Sequence, residues 1–312
     1  MTLYEEIKQH FHIPTAFQDW TDYRNVLTDY LIKQTEHFLI PLCFTPSMEQ
    51  KEMQPTLLII GAGACNDLDL SRILPHFSHI TLLDNNQSAM EAAVSNYHLE
   101  HHDSIRLCVN SLNGLTDEDY RLFCRQLSKY LRFQQTNGIA ITQKDFDHTA
   151  CAFLKQILKK YEHYTIPLPV KAYDFVWCFG VHSQLQAMFS YIYHVFYTNL
   201  LNMYPDFSAE QTTEFENLLK KENDRFIPIF HDTLLQCARQ KAFIGLEACR
   251  TLPADAGFSP SPIDETPIEG ACQGIMDLQN RTLNRGKWSV LWPFHPARNL
   301  YYQMQIEEIT LS

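Results

Sequence analysis

Residues 57–64 read Leu-Leu-Ile-Ile-Gly-Ala-Gly-Ala, four aliphatic residues followed by a loop of small ones. An unbroken apolar run of this length, ended by glycine, is typical of a short strand that is buried on both faces. The small residues let the backbone approach a ligand closely, and the first amide groups of a following helix add partial positive charge. The stretch therefore predicts the first strand of a parallel sheet and a candidate ligand-binding loop at its end.

The residues after this loop repeat the alternation of strand and helix. Strands that the same pattern predicts follow at 80–83, 105–109, 174–179 and 242–246. Stretches with helical character lie between the first of them, at about 67–74 and 88–97. Because strands joined by helices pair in parallel through right-handed crossovers, the sequence predicts an α/β fold with a mostly parallel sheet.

The last two predicted strands are connected differently. Residues 288–292 and 301–306 are rich in aromatic and aliphatic side chains, and only a short turn that contains proline lies between them. A parallel crossover needs a dozen residues or more, so we expect these two strands to pair antiparallel.

Long helical segments precede and interrupt the predicted sheet. Residues 1–50 are expected to form an N-terminal helical cap, because apolar side chains recur in them at spacings of three and four. The α/β domain would span 51–312. It contains two intervals that are too long for a simple crossover, and we expect helical insertions there, at about 115–170 and 185–240.

Two stretches are predicted to be irregular. Residues 46–55 are polar and bounded by prolines, so they form a break between the cap and the first strand. Residues 251–270 contain four prolines and follow the carboxyl end of the fifth predicted strand. Ligands bind at that end of the strands in open α/β sheets, so this loop is expected near the site.

The net charge and the amino-acid composition indicate which classes of partner and which cellular location to expect. The formal net charge is −11, from 36 acidic and 25 basic residues, which disfavours nucleic acid and anionic membranes as partners. Nine cysteines without a Cys-x-x-Cys pair, and an N-terminus without a signal peptide, predict reduced thiols and a cytoplasmic location. The apolar stretch 185–201 carries polar side chains such as Gln186 and His194, so it predicts a packed helix, with a homodimer interface as one option.

An acidic residue at the end of the second strand strengthens the ligand-binding interpretation. Asp84 is placed to accept hydrogen bonds from two ribose hydroxyls, and together with Gly61 and Gly63 it indicates an adenosine-containing ligand. The alternative is a tight structural turn beside an exposed aspartate. A dinucleotide site asks for a third small residue at position 66, where this chain has Asn66.

These motifs resemble those of the class I S-adenosylmethionine-dependent methyltransferases. The similarity lies in residues 58–63, 82–84 and 173–178 and in the final pair of strands, and it covers about 57–112, 173–184 and 242–306. The resemblance implies a Rossmann-like, seven-stranded, mostly parallel sheet with an antiparallel last strand. It also implies S-adenosylmethionine as cofactor and methyl transfer to an acceptor.

The resemblance also implies roles for individual residues. Gly61 and Gly63 would flank the methionine part of the cofactor, and Asp84 would hold its ribose. Asp67 is a candidate for the cofactor's amino group, or else a helix cap. The cofactor-binding residues predicted in this way are Gly61, Ala62, Gly63, Asp67, Asp84, Asn85, Asn110, Ser111, Leu112, Phe179 and Gln184.

Two positions depart from the family pattern. Ile59 stands where many members have an acid that helps to hold the methionine end, and Asn110 stands where an acid often binds the adenine amino group. These departures keep open a non-catalytic S-adenosylmethionine-binding module with a protein partner. An oxidoreductase that binds NAD is the other alternative.

The catalytic prediction rests on the segment after the fourth strand, where the methyl group and acceptor meet in this family. His182 titrates near neutrality and is the candidate base, with a structural role as the alternative. No metal is expected, because no cysteine or acid spacing completes a site around His98, His101 and His102. The first hypothesis is an enzyme that methylates oxygen or nitrogen of a small molecule.

Overall fold

The computed structural model of the chain describes residues 2–9, 13–36, 54–204, 207, 213–251 and 266–311. Its strands are β1 (Thr56–Ile60), β2 (His79–Asp84), β3 (Ile105–Val109), β4 (Tyr173–Phe179), β5 (Ala238–Thr251), β6 (Thr266–Pro267), β7 (Asn284–His295) and β8 (Leu300–Thr310). Its helices are α1 (Leu3–Gln9), α2 (Ala16–Asp19), α3 (Thr21–Thr35), α4 (Leu70–Ile73), α5 (Gln87–Asn96), α6 (Asp117–Thr136), α7 (Gln143–Leu158), α8 (Ala187–Met203), α9 (Glu214–Cys237) and α10 (Glu269–Asn280).

All described strands belong to one sheet. The order of the seven long strands is β3-β2-β1-β4-β5-β8-β7, and the two-residue β6 pairs with the end of β5. Strands β1 to β5 are parallel, whereas β8 runs antiparallel to both of its neighbours, β5 and β7. Among the long strands only the last is reversed, so the predicted fold class is confirmed.

Three of the strands are longer than the sequence pattern indicated. β5 was expected at 242–246 but starts directly after α9, and β7 and β8 extend the predicted 288–292 and 301–306 at both ends. Most of the added residues belong to the antiparallel ladder of β8 with β5 and β7, where many side chains are half-buried or exposed. Such side chains do not form a continuous apolar run, so the sequence pattern located only part of each strand.

The side chains of the sheet alternate between two cores. On one face, α3 contributes Leu27 and Leu31 to a core that contains Phe175, Trp177 and Phe243 of β4 and β5. The other face carries the intervening residues of these strands and packs against α9 and α10. The period of two along each strand therefore accounts for both layers of helices.

A third core lies outside the sheet, in a helical lobe formed by α1, α6, α7, α8 and the first part of α9. Tyr193 of α8 stacks on Phe215 with ring centroids 4.3 Å apart, and its hydroxyl hydrogen-bonds to the buried Asp147. Most apolar side chains of α8 are buried or half-buried within this lobe, so the apolar stretch 185–201 is a packed helix as predicted.

The helices that precede the first strand pack against two different parts of the fold. α1 packs in the helical lobe, whereas α3 covers one face of the sheet. Of the two predicted irregular stretches, residues 46–53 and 252–265 lie outside the described residues. The end of the second stretch forms β6 and the start of α10.

Candidate functional site

A cleft opens at the carboxyl ends of the parallel strands, where the strand order reverses between β1 and β4. Two overlapping cavities of about 1150 and 1280 Å³ make it up. The first lies between the Gly61 loop, β4 and the start of β8, and the second extends along the end of β3 toward α1 and α6. This position is where open α/β sheets bind ligands.

The loop after β1 needs glycine at its first position. Gly61 has φ of +68°, and a Cβ added there would lie 2.4 Å from Cγ2 of Val181. The amides of Gly61 and Ala62 both donate to the carbonyl oxygen of Leu83, at 2.9 and 3.1 Å. The loop is thus tied to the end of β2 and pressed against the segment after β4, with its other side facing the cleft.

Asp84 links this loop to the end of β2. Its Oδ2 accepts a hydrogen bond from the amide of Gly63 at 2.9 Å, and its Oδ1 accepts from the amide of Asn86 at 2.8 Å. Burial raises the pKa of Asp84, and the amide donors oppose that shift. Each carboxylate oxygen keeps a lone pair, so two ligand hydroxyls can still donate to it from the cleft.

The first helix after the loop is unusually short. α4 has four residues, and its N-cap is Asp69, whose carboxylate accepts from the amide of Arg72 at 3.1 Å. Asp67 therefore does not cap the helix. It lines the cleft, where its Oδ2 accepts from Nε1 of Trp177 at 3.3 Å, and burial raises its pKa.

The end of β3 forms the far wall of the second cavity. Asn110, Ser111 and Leu112 line it. Tyr164, which follows α7, donates from its hydroxyl to the Ser111 carbonyl at 2.6 Å and lies 3.3 Å from Oδ1 of Asn110. Sequence reasoning missed Tyr164, because more than fifty residues of helical insertion separate it from the strand end that it covers.

The prediction for His182 is not supported by its position. Its side chain is buried and does not line the cleft; its Nε2 lies 2.8 Å from Nε2 of His231. Nδ1 of His231 lies 2.6 Å from Oδ2 of Asp277, and burial lowers the pKa of both histidines. His182 faces α9 and α10 rather than the cleft, so it is not placed to take a proton from an acceptor there.

The next residue in the chain does face the cleft. The hydroxyl of Ser183 donates to Oε1 of Glu247 at 2.7 Å and accepts from Nε2 of Gln184 at 3.1 Å. Glu247 is 2% exposed, and among the described residues its Oε2 has no hydrogen-bond partner. Burial raises the pKa of Glu247. A buried carboxylate that polarises a hydroxyl in the cleft is a group to which protons can be transferred.

Aromatic side chains form the wall of the cleft beyond Ser183. Trp20, Tyr23, Trp292, Phe294 and Tyr302 line it and pack on one another, with centroids of Trp20 and Trp292 4.9 Å apart. We call these five residues the aromatic wall. The sequence did not single out the wall as a whole, since α2, α3, β7 and β8 meet here only in the tertiary structure.

The fold brings all the predicted cofactor residues to this cleft. Those that line one or both cavities are Gly61, Ala62, Gly63, Asp67, Asp84, Asn85, Asn110, Ser111, Leu112, Phe179 and Gln184. Their roles toward a cofactor stay predictions. Within the described ranges, no cluster of three or more His, Cys, Asp or Glu side chains is arranged to hold a metal ion.

Solved structures similar to this chain include methyltransferases of low sequence identity. One from Aquifex aeolicus is 10% identical, covers 100% of both chains and has a TM-score of 0.41. The magnesium protoporphyrin IX methyltransferase of Synechocystis, with bound S-adenosylmethionine, is 10% identical over 96% of this chain and 86% of its own, with a TM-score of 0.40. The N-methyltransferase NodS of Bradyrhizobium japonicum, in complex with S-adenosyl-L-homocysteine, is 9% identical over 98% of this chain and 97% of its own, with a TM-score of 0.38.

At this level of likeness, the strand order and the geometry of the cleft remain the basis for assigning the fold. No protein-family model and no curated protein matches the sequence. Among the helices in the described part of the chain, none combines the length and apolar character needed to cross a membrane.

Proposed function

We propose that this protein is a cytosolic S-adenosylmethionine-dependent methyltransferase that acts on a small-molecule acceptor. The observation that carries the proposal is the charge around the Gly61 loop. The carboxylates of Asp67 and Asp84 line the cleft beside this loop, and Asp69 caps the helix that follows it. Such a site favours a ligand with positive groups and a ribose.

S-adenosylmethionine has the matching chemistry. Its sulfonium and its ammonium group are cationic, and its ribose offers two hydroxyls to Asp84. Asp67 stands on the loop side of the cleft, where it can pair with the ammonium group. The absence of an acid at Ile59 is thereby offset, because Asp67 supplies negative charge from the other end of the loop.

The same geometry disfavours a dinucleotide. A pyrophosphate is held by the free amides and positive end of a helix that starts at the glycine loop. Here α4 is only four residues long, and the carboxylate of Asp69 already occupies its N-terminus. Like charges would repel the pyrophosphate from this loop. The NAD alternative therefore loses its main binding element.

The surroundings of the cleft support a small acceptor. α1 and α6 of the helical lobe border the second cavity, and residues of α8 and α9 line the first. Elements that enclose a ligand from several sides suit a small molecule better than a polymer, which needs an open groove. The negative net charge points the same way, since it disfavours RNA and DNA.

Calorimetric titration with S-adenosylmethionine, S-adenosylhomocysteine and NAD tests the cofactor. We expect the first two to bind and NAD not to bind. The Asp84→Asn variant is expected to weaken binding about 10- to 100-fold, since charge-assisted hydrogen bonds to ribose are lost. Glu91→Gln, an exposed change on the neighbouring α5, is the matched control and should bind as the natural protein does.

Transfer of label from methyl-labelled S-adenosylmethionine to a pool of small amines and alcohols tests turnover. Binding together with label transfer supports the enzyme. Cofactor binding without transfer to any member of the pool would favour the non-catalytic module instead. Binding of NAD alone would overturn the proposal.

A further inference from the structure

We propose that the acceptor is an amine, which binds in the half of the cleft between the aromatic wall and the buried carboxylate of Glu247. This inference rests on the proposed methyltransferase function and specifies its substrate class. It follows from the division of the cleft by the sheet, from the aromatic wall, and from the unpartnered oxygen of Glu247.

The strand order separates the cleft into two halves. The ends of β3, β2 and β1 carry Asn110, Asp84 and the Gly61 loop, which are the predicted cofactor residues. On the other side of β4 follow β5, β8 and β7, whose ends at the same edge carry Glu247, Tyr302 and Trp292. A cofactor on the first half leaves the second half for the acceptor.

The second half is lined by aromatic rings. Trp292 contacts Phe294 and Tyr302, with centroid distances of 4.9 and 5.9 Å, and it also contacts Trp20, which lies between α2 and α3. Trp20 is held in place because its Nε1 donates to the Phe294 carbonyl at 3.1 Å. Faces of such rings attract ammonium groups through cation–π interactions.

Glu247 lies just beneath this wall. A Cβ added to Gly180 would be 3.6 Å from Oε1 of Glu247 and 3.4 Å from the ring of Trp292, so the bare backbone at Gly180 leaves the carboxylate close to the cleft. Ser183, which lines the cleft, contacts the same Oε1. Oε2 stays unpartnered within the described residues, and a buried carboxylate oxygen in that state favours a cationic partner.

The charges elsewhere in the cleft agree with a cation. Lys220 and Arg298 both line the cleft, but Lys220 is paired with Glu269 at 2.8 Å and Arg298 is a solvent-exposed residue of the turn after β7. The carboxylate group of an acidic acceptor would meet Glu247 without a basic side chain beside it in the described residues. An ammonium group, in contrast, would interact favourably with both the aromatic wall and the carboxylate of Glu247.

The reaction balances with the groups present. The bound ammonium loses one proton through the Ser183 hydroxyl to Glu247, which leaves a neutral amine with a lone pair. That lone pair attacks the sulfonium methyl, so the new N–C bond forms while the S–C bond breaks and its electron pair stays on sulfur. The products are neutral S-adenosylhomocysteine and a methylated ammonium, and Glu247 releases its proton to solvent.

A pair of isosteric probes tests this half of the cleft directly. Choline carries a quaternary ammonium, and 3,3-dimethylbutan-1-ol has the same shape without the charge. Their binding is measured by calorimetry in saturating S-adenosylhomocysteine, with intrinsic tryptophan fluorescence, to which Trp20 and Trp292 contribute, as a second signal. We expect choline to bind at least about tenfold more tightly than its neutral isostere.

Two variants identify the groups responsible. Glu247→Gln keeps the acceptor for Ser183 but removes the charge, so it should abolish most of the preference for choline. Glu307→Gln is the matched control, because Glu307 is equally buried on β8 but lies about 17 Å along the strand from Tyr302. Trp20→Leu changes a half-buried position outside the sheet core and should weaken choline more than the alcohol.

The outcomes separate the two proposals. Binding of S-adenosylhomocysteine with no preference for choline would overturn the amine inference and leave the proposed function standing. Competition between choline and S-adenosylhomocysteine would also overturn it, because the aromatic wall would then serve the sulfonium end of the cofactor. A protein that does not bind S-adenosylhomocysteine would overturn both.

Discussion

Replacing Gly61 by alanine is expected to destabilise the protein far more than the same change at Gly63, two residues later. Both glycines have positive φ, +68° and +48°, so alanine strains the backbone at either position by about 1–2 kcal/mol. The two positions differ in the room that they leave for a Cβ atom. A Cβ at Gly61 would lie 2.4 Å from Cγ2 of Val181, whereas nothing lies within 4 Å of a Cβ at Gly63.

The close contact adds a second cost at Gly61 alone. Forcing a methyl group into a packed site costs about 1–3 kcal/mol, which brings the total for Gly61→Ala to about 2–5 kcal/mol. The total for Gly63→Ala stays at about 1–2 kcal/mol. Urea unfolding followed by tryptophan fluorescence measures both, with the midpoint as the readout and an unchanged slope as the check on the comparison.

A double-mutant cycle tests the physical reason. Val181→Ala removes the methyl group that a Cβ at Gly61 would strike, so the double variant should be less destabilised than the sum of the single variants, by about 1–3 kcal/mol. Equal losses for Gly61→Ala and Gly63→Ala, or strict additivity in the cycle, would refute the contact between the loop and the segment after β4.

Two further predictions concern charge. Because burial lowers the pKa of His182 and His231, their neutral forms stabilise the fold above the ordinary histidine pKa of about 6.5, and this contribution is lost as the pH falls below it. The unfolding free energy of the natural protein should therefore decline more steeply from pH 7 to 5 than that of a His182→Asn, His231→Asn double variant; parallel curves in denaturant titrations would contradict this. Asp67→Asn should weaken S-adenosylmethionine binding about tenfold by calorimetry, with the exposed change Glu91→Gln as the control that leaves the affinity unchanged. If the natural protein and Asp67→Asn bind S-adenosylmethionine with equal affinity, Asp67 does not contribute to binding.

Much of the fold was predictable from local sequence. The run at 57–60 and its counterparts at 80–83 and 174–179 are strands buried on both faces, and such strands have a pattern that neighbouring residues alone produce. The run at 105–109 is also a strand, but it is the edge strand β3 and its side chains are half-buried or exposed. The turn between β7 and β8 is too short for a parallel crossover, and the predicted antiparallel pairing of these two strands is confirmed. The loop beginning at Gly61 and Asp84 at the end of β2 were recognisable for the same reason, since each sits at a strand end.

The half of the cleft that we propose for the acceptor was not predictable in this way. His182 and Ser183 are adjacent in the chain, yet the first faces α9 and α10 while the second faces the cleft. Sequence alone could not choose between them, because the segment after β4 is a single turn of 3-10 helix, His182–Gln184, whose orientation is set by its neighbours. His182 was the predicted base because histidine titrates near neutrality, but in the tertiary structure this side chain is buried.

The remaining features of the cleft depend on contacts between segments that are distant in the sequence. Glu247 reaches Ser183 because the register of β4 with β5 places their carboxyl ends side by side, and Tyr164 reaches Ser111 because the helical lobe returns the chain to the end of β3. A single sequence records the period of each strand and the residues at its ends. It does not record which distant residues meet across an insertion, since that depends on how whole helices and strands pack.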